Sequence, residues 1–392
     1  MYTAITMQRR ANRYRRYKYP FPAVLALDEG VELEKKWQCW IESEQWKRLV
    51  HHTSIGDAMN SLLFLAPPLM SYSEVVLPIP DSQQLWSLPT AVEWKHTYLS
   101  QMPAATERLP SLHDCMIDIT NVPTYGHLLN DRFMIMGIIG NIWRKVWEYR
   151  QDCTLHKDKR QTSPTLMTKE NEVQQLIRNI RFGEDLSKPN NITSLLFLEI
   201  VTMHVHMSLD DVQLFTGLEG VEEARRIYPD LVAWSQTPSS RQAIWHAGQV
   251  LRIAKNGPKS TLIAISAVAV YQSALAFWTY GLMLRDAVHK SNSQSQYQST
   301  YIWLDELETD DKNRFVESNT GLPVIRGIHD STNPTASPPP ATLDHPARVL
   351  DVIIHVFREN WNVPGVAMPV LVENLIKLMT GLRAAAEKFV GT

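Results

Sequence analysis

The segment that decides the fold runs from Trp40 to Trp86 and reads WIESEQWKRLVHHTSIGDAMNSLLFLAPPLMSYSEVVLPIPDSQQLW. From Glu32 to about Ala66, apolar side chains recur at the spacing of one helix face, and glutamate, lysine and arginine occupy the other positions. This pattern predicts a long amphipathic helix, and its apolar residues include Leu33, Trp37, Trp40, Ile41, Leu49 and Val50.

Two consecutive prolines end this helical pattern. Pro67 and Pro68 cannot donate backbone hydrogen bonds, and the sequence LPIP at 77–80 keeps the following chain extended. Asp81 is then the expected N-cap of a short helix through Trp86.

The remainder of the chain is also predicted to be helical, and few stretches alternate apolar and polar residues. The sequence therefore predicts an all-α fold without a convincing sheet, built as a single large multi-helix body. We expect a basic N-terminal arm over 1–30, a helical domain over 31–392, and surface loops near 291–299 and 331–346. The predicted helices span 90–101, 128–151, 169–182, 193–207, 221–235, 239–255, 260–287, 346–361 and 368–389.

Composition excludes several classes of function. The 392 residues are 44% hydrophobic, which allows a sizeable core, and 39 basic side chains nearly balance 41 acidic ones. No chain-wide field therefore attracts phosphates or anionic lipid. Cys39, Cys115 and Cys153 lie far apart and form no CxxC pair, so they are expected to be reduced and structural.

One apolar segment is long enough to cross a bilayer. Residues 260–284 contain no charged side chain. They do contain serine, threonine, tyrosine and glutamine, and no second such span accompanies them. We therefore interpret the segment as a buried central helix and expect no membrane association.

The motif spacing between Trp40 and Trp86 resembles the fungal-specific transcription factor domain, also called the middle homology region. The shared features are Asp57, the Pro-Pro turn, the step from Ser71 to Glu74, the Leu-Pro-x-Pro sequence and the Leu-Trp pair at 85 and 86. Later segments occur in the family's order: AIWHAGQVLR at 243–252, AVAVYQSALAFWTYGL at 267–282, LDELETDDKNRFVESNTGLPVI at 304–325 and VLVENLIKLMTGL at 370–382.

The resemblance implies an all-helical regulatory domain, control of transcription and nuclear residence. Relatives with paired Cys/His fingers carry them ahead of this region, and the present sequence holds no cluster of four closely spaced Cys/His ligands. Three interpretations follow: a fragment of a longer protein, a regulator without its own DNA reader, or a former regulator with another task. We expect no sequence-specific DNA contact by this chain and locate it in the nucleus or cytoplasm.

Two groups of residues are candidates for binding. The basic arm would contact phosphates or act as an import signal, or would simply be a solvated arm, through Arg9, Arg10, Arg13, Arg15, Arg16 and Lys18. A second group would either line an apolar ligand pocket or pack in the core, and comprises Trp245, His246, Tyr271, Trp278 and Tyr280.

No catalytic group, metal site or cofactor site is identified. Leu214 and Arg314 stand where a third acid of a DDxxD magnesium-binding pattern would follow Asp210 with Asp211 and Asp310 with Asp311. We therefore expect helix caps and loop acids at Asp210, Asp211, Asp305, Glu306, Glu308, Asp310 and Asp311. His51 with His52, and His113 with Asp114, are adjacent and point in different directions on a helix. Nucleophile elbows, phosphate-binding glycine loops and dinucleotide fingerprints do not occur.

These observations favour a regulatory domain that binds a protein partner or a small apolar ligand, linked to the control of secondary-metabolism genes. The alternative is an enzyme evolved from the same scaffold, a cyclase or pericyclase of the Diels-Alderase kind. Such an enzyme accelerates its reaction by holding the substrate folded in a shaped apolar pocket, so its sequence contains little recognisable catalytic motif. It predicts a closed, aromatic-lined cavity.

Overall fold

The computed structural model describes residues 1–20, 22–101, 109–118, 127–156, 163–183, 192–291, 300–307, 310–328 and 339–388. The chain divides into two compact units, Met1–Leu186 and Ser187–Thr392. Helices dominate both units, which confirms the predicted all-α class.

The first unit is built around one long helix. The helices are α1 (Tyr2–Arg10), α2 (Gly30–Phe64), α3 (Gln83–Trp86), α4 (Ala91–Gln101), α5 (Leu112–Ile117), α6 (Asp131–Leu155) and α7 (Pro164–Gly183), with a 3₁₀ turn at Arg16–Lys18. The 35 residues of α2 pack against α1, α4 and α6. One core cluster joins α1 and α2 through Ile5, Tyr14, Val50 and Leu77, and a second joins α2 and α4 through Trp40, Trp94 and Tyr98.

The end of α2 is fixed by its sequence. Leu65 adopts the left-handed conformation, with φ of 47°, two residues before Pro67. The chain then turns back, and the buried carboxylate of Asp57 accepts the backbone N–H groups of Leu69 and Met70 at 2.9 and 3.1 Å. Arg144 of α6 pairs with the same carboxylate at 3.0 Å. Asp57, a residue of the family-like motif, thus binds the chain that follows the Pro-Pro turn.

The second unit buries the charge-free segment. Its helices are α8 (Ile192–His206), α9 (Leu209–Phe215), α10 (Val221–Ser235), α11 (Pro238–Asn256), α12 (Ala264–Ser291), α13 (Asp310–Ser318), α14 (Pro346–Asn360) and α15 (Val370–Lys388). Helix α11 packs against both α8 and α12. By length and composition α12 would suit a membrane span, but 83% of its apolar window is buried inside the structure. It is therefore the core helix of this unit.

A small sheet corrects the expectation that no sheet is present. Strands β1 (Tyr301–Trp303) and β2 (Leu322–Arg326) are parallel, and β3 (Pro340–Thr342) runs antiparallel to β2. Strands of three to five residues are too short to show the alternation that identifies strands in sequence. β3 also falls within the predicted loop near 331–346, whereas most of 291–299 lies outside the described residues.

Three other local predictions need correction. Ser82, rather than Asp81, caps α3, because the Ser82 hydroxyl accepts the N–H of Leu85 at 3.3 Å. The short helices α5, α9 and α13 were not predicted, since fewer than three turns give no readable period. Helix α1 was not predicted, because its residues were assigned to the basic arm, although Ile5 within it is fully buried.

Two glycines let helices of the second unit approach the sheet closely. A Cβ on Gly248 of α11 would lie 2.2 Å from the carbonyl oxygen of Leu304, and a Cβ on Gly281 of α12 would lie 2.1 Å from that of Leu343. Leu304 and Leu343 directly follow β1 and β3. Only glycine permits these two backbone contacts without a shift of the main chain.

We therefore expect Gly281→Ala to destabilise the second unit by about 2–3 kcal/mol, because the rigid Leu343 carbonyl must move. Gly381→Ala is the matched control, since a Cβ on Gly381 of α15 would meet no atom within 4 Å. The free energy of unfolding of that control should rise by about 0.5–1 kcal/mol, because alanine has a higher helix propensity than glycine. Urea unfolding of both variants checks the pair, and a shift of both in the same direction would contradict the assignment.

Candidate functional site

A half-open groove of about 830 Å³ lies in the first unit. Residues 13, 16–20, 22 and 23 form part of it, and helix α2 forms another part, together with Pro78, Asp81, Tyr98 and Leu109. The α2 residues recur every three or four positions and therefore share one helix face: Glu32, Lys35, Lys36, Cys39, Trp40, Glu42, Ser43, Trp46 and Lys47.

The predicted basic arm is packed onto this unit along much of its length. Arg9 forms an ion pair with Glu74 and donates to the carbonyl of Leu69 at 2.8 Å. Arg16 pairs with Asp114 at 2.7 Å and donates to the carbonyl of Leu109 at 2.6 Å. These bonds draw the segment between Arg9 and Arg16 against the helices.

Apolar residues interleaved with the arginines complete this packing. Tyr14 and Tyr19 are buried, and the Tyr19 hydroxyl donates to the Arg13 carbonyl at 2.8 Å. The Arg13 guanidinium lies over the ring of Trp46, with its carbon 3.9 Å from the ring centroid. Arg10 and Arg15 point outward and are exposed. The segment thus supplies both the groove's boundary and part of its positive charge.

A buried charge cluster lies at the inner side of the groove, around Asp81. Its carboxylate accepts the indole N–H of Trp40 at 2.8 Å and pairs with Lys47 at 2.9 Å. Its own backbone N–H donates to Glu44 at 2.9 Å. Lys47 also pairs with Glu44 at 2.6 Å. The extended segment after the Pro-Pro turn is thereby bonded to three positions of α2.

Burial sets the protonation behaviour of this cluster. Burial raises the pKa of Glu44 to about 7, against the lowering effect of Lys47. Burial by itself would lower the pKa of Lys47, but the carboxylates of Asp81 and Glu44 raise it above its usual value. Lys47 is therefore charged at neutral pH, and its charge is held by two carboxylates.

Aromatic rings extend from the groove into the core. The ring centroids of Trp40 and Trp94 are 5.3 Å apart, and those of Trp94 and Tyr98 are 5.4 Å apart. The Arg48 guanidinium lies 4.5 Å from the centroid of Trp86. These contacts hold Trp40 and Tyr98 in fixed orientations at the groove.

In the second unit, two of the five predicted pocket residues lie on α11. Trp245 is buried, and His246 forms a hydrogen bond through Nδ1 with Glu199 Oε2 at 2.8 Å. The His246 ring also stacks on His206, with centroids 6.3 Å apart. Both residues have packing partners that account for their position.

The other three predicted pocket residues lie on α12. The Trp278 indole N–H donates to the carbonyl of Leu382 at 3.1 Å, and the Tyr280 ring contacts Trp234 edge-on at 6.3 Å. Tyr271 is half-buried, and burial raises its pKa. A ligand-binding role for these five residues stays a prediction, because their contacts are also those of core side chains.

Several of the acidic residues singled out in the sequence have structural partners or lie in the first turn of a helix. Asp305 is buried, pairs with Lys255 at 2.7 Å and accepts the backbone N–H of Arg326. Asp210 and Asp211 occupy the first turn of α9. Glu308 lies outside the described residues. Across the described part of the chain, no group of three or more His, Cys, Asp or Glu side chains is placed to hold a metal ion.

Sequence reasoning missed most of the groove. Trp46, Lys47 and Tyr98 were not singled out, although Trp46 and Cys39 stand on an otherwise charged face of α2. A tryptophan among charged residues of a predicted helix is the sequence signal that would have indicated it. Arg13 was named only as part of a basic arm, because sequence does not reveal which arginine meets an aromatic ring.

Fold and site together define an all-helical domain with a groove between a helix face and its own N-terminal segment. Residues 1–178, which cover nearly all of the first unit, match the fungal specific transcription factor domain. The first unit of this chain therefore belongs to that domain family.

Curated relatives agree with this assignment. A transcription factor of Zymoseptoria tritici is 24% identical over 67% of this chain and 30% of its own length. Transcription factor 1 of Elsinoe fawcettii is 24% identical over 92% of this chain and 38% of its own length. Transcription factor opdJ of Penicillium oxalicum is 22% identical over 64% of this chain and 31% of its own length. The chain thus spans about a third of these relatives, and no solved structure matches it.

His51, one turn after Lys47 on α2, gives the first unit a testable pH dependence. Its ring is fully buried, Nε2 bonds the carbonyl of Pro78 at 3.1 Å, and burial lowers its pKa to about 4. The unfolded chain therefore takes up this proton first as pH falls below about 6.5, so stability is lost toward pH 4.

We expect wild type to lose about 1–2 kcal/mol more than His51→Gln between about pH 7 and pH 5.5. Glutamine retains a donor for the Pro78 carbonyl but does not titrate. Glu44 titrates in the same range with the opposite sign, and it cancels in the comparison because both proteins contain it. Urea unfolding followed by tryptophan fluorescence measures the difference. His52→Gln, at the exposed neighbour, should behave as wild type, and equal pH dependence in all three proteins would refute the assignment.

Proposed function

We propose that this chain is a regulatory region of a fungal transcription factor, and that the groove of its first unit is where a small ligand or a partner segment binds. The groove within the family domain is the observation that carries the proposal. It combines fixed aromatic rings with charged groups, as ligand-binding sites commonly do. We further propose nuclear residence and a link to secondary-metabolism gene control.

The folded state of the basic segment supports a regulatory role over direct DNA recognition by this chain. Arg9 and Arg16 are engaged with Glu74 and Asp114, and Arg13 stacks on Trp46. Side chains committed to such contacts are poorly placed to follow a phosphate backbone. Recognition of DNA in the working protein is therefore assigned to a separate module or partner.

The cyclase alternative receives less support. It requires a closed cavity that surrounds its substrate, and the groove of the first unit is half-open and bordered by charged side chains. The three relatives described above are each named as transcription factors. We therefore favour binding without chemistry.

A reporter assay tests the proposal. The full chain, fused to a heterologous DNA-binding domain in a fungal host, should raise reporter output above that of the DNA-binding domain alone. Trp46→Ala should remove at least about half of this increase, because Trp46 holds Arg13 at the groove.

Trp147→Ala is the matched control, since Trp147 is a half-buried tryptophan of the same unit outside the groove. It should retain full output at equal protein level. Output equal to that of the DNA-binding domain alone, or an equal loss in both variants, would overturn the proposed function.

A further inference from the structure

We propose that the groove of the first unit binds an aromatic carboxylic acid, with its rings against the aromatic lining and its carboxylate at Arg13. This inference rests on the proposed function for the choice of site. It adds the chemical class of the ligand. The size, the lining residues and the charge of the groove each support this class of ligand.

The volume suits a small organic molecule. About 830 Å³ lies within the usual range of small-molecule pockets, roughly 300–1,000 Å³. Such a space accepts a compound of several fused or linked rings. It is too small for a folded partner domain.

The lining favours planar rings over an acyl chain. Five aromatic side chains border the groove, whereas Leu109 is its only long aliphatic residue among those described. Aromatic faces gain geometry-dependent contacts with other rings beyond simple area burial. The aromatic residues are Tyr17, Tyr19, Trp40, Trp46 and Tyr98.

The charge of the lining favours an anion. Six lysine and arginine side chains border the groove, against the three carboxylates of Glu32, Glu42 and Asp81. This local excess of positive charge contrasts with the net charge of −2 for the whole chain. An anion is therefore attracted to those cations of the groove that the protein leaves unpaired.

Half of these cations are already neutralised by the protein. Arg16 pairs with Asp114, Lys36 with Asp28, and Lys47 with Glu44 and Asp81. Arg13, Lys18 and Lys35 form no ion pair with any described residue. The unpaired cations are those left for a ligand.

Arg13 is the best placed of the three. Trp46 holds its guanidinium by stacking, the Tyr19 hydroxyl interacts with the same group, and its Nε has no hydrogen-bond acceptor among the described residues. A buried donor without an acceptor costs about 1–3 kcal/mol. A carboxylate supplies acceptors in the planar geometry that a guanidinium prefers. Tyr98 adds a hydroxyl that bonds no described residue and lines the same groove.

A polyanion fits less well than a small acid. Glu32 and Glu42 lie on the α2 face of the groove and Asp81 lies at its inner side, so extended phosphate chains would meet three carboxylates. A single carboxylate at Arg13 avoids them. The test must therefore distinguish binding of a small acid from binding of nucleic acid.

Calorimetry on the full chain with three matched probes tests the charge requirement. 2-Naphthoate, 2-naphthamide and 2-naphthylmethylamine share one ring system and differ in charge. The carboxylate should bind at least about tenfold more tightly than the amide, and the amine most weakly. Equal binding of all three, or displacement of 2-naphthoate by a short DNA duplex at lower concentration, would overturn the inference.

Two arginine variants localise the carboxylate. Arg13→Gln should reduce the preference for carboxylate over amide from about tenfold to less than about twofold, with amide affinity unchanged. Arg15→Gln removes the same charge two residues away at an exposed position outside the groove, and should keep the full preference. An equal loss in both variants would show general electrostatics instead of a site. Unchanged circular dichroism establishes that Arg13→Gln is folded.

Cys39 provides a second readout that is independent of calorimetry. It is exposed and lines the groove, while Cys115 and Cys153 are buried. Saturating 2-naphthoate should slow modification of Cys39 by a thiol reagent at least about threefold, and 2-naphthylmethylamine should not. Unaltered labelling with bound 2-naphthoate would place the ligand elsewhere and overturn the inference.

The two proposals fail in different ways. Arg13-dependent binding of 2-naphthoate together with a silent reporter would reject the regulatory function and retain the ligand class. A reporter that depends on Trp46, together with equal affinity for the three probes, would retain the function and reject the ligand class.

Discussion

The structure of the first unit depends on buried carboxylates that hold the chain after the Pro-Pro turn against α2. Asp57 bonds that chain and Arg144, and Asp81 bonds Trp40 and Lys47. Removing charges from water costs about as much as their attraction returns, so such pairs add little net stability. Loss of one partner, however, leaves an uncompensated buried charge. The pairs therefore specify which way the chain returns, and the returning chain supplies one side of the groove.

The groove follows from this arrangement and from the N-terminal segment. A helix face bearing Trp46, Cys39 and several charges would be solvated if it stood alone. Arg9 and Arg16 fasten the preceding segment at two points, and Tyr14 and Tyr19 bury their rings between those points and α2. The space left between segment and helix is lined by rings and by cations that the fold has not neutralised. The N-terminal segment thus supplies both the contacts that fix its position and part of the surface of the groove.

Sequence predicted the long helix to within two residues at each end, because prolines and a clear apolar face leave little freedom. It did not predict the sheet, whose strands are too short for a period, or the groove. The groove depends on tertiary contacts, which the sequence does not reveal. Arg9 pairs with Glu74 whereas Arg13 stacks on Trp46, and the arginine-rich sequence gives no sign of this difference. The residues proposed around His246 illustrate the reverse case. The same aromatic and histidine residues occur in the sequences of packed cores and of ligand pockets, so sequence does not distinguish the two. The hydrogen bond between His246 and Glu199 is a contact that a core residue also makes.

A ligand bound in this groove would stabilise the packing of the N-terminal segment, because that segment forms part of the groove. A molecule that contacts Arg13 and α2 together binds only the docked form, so by linkage it stabilises that form in proportion to its affinity. The ion pairs of Arg9 and Arg16 already hold the segment against the helices, and the binding free energy of such a ligand would add to theirs. Since Trp40 joins the groove to Asp81 through one hydrogen bond, the same event also bears on the buried charge cluster. A small acid bound in this groove would therefore strengthen the packing of the N-terminal segment against α2, because that segment completes the binding site.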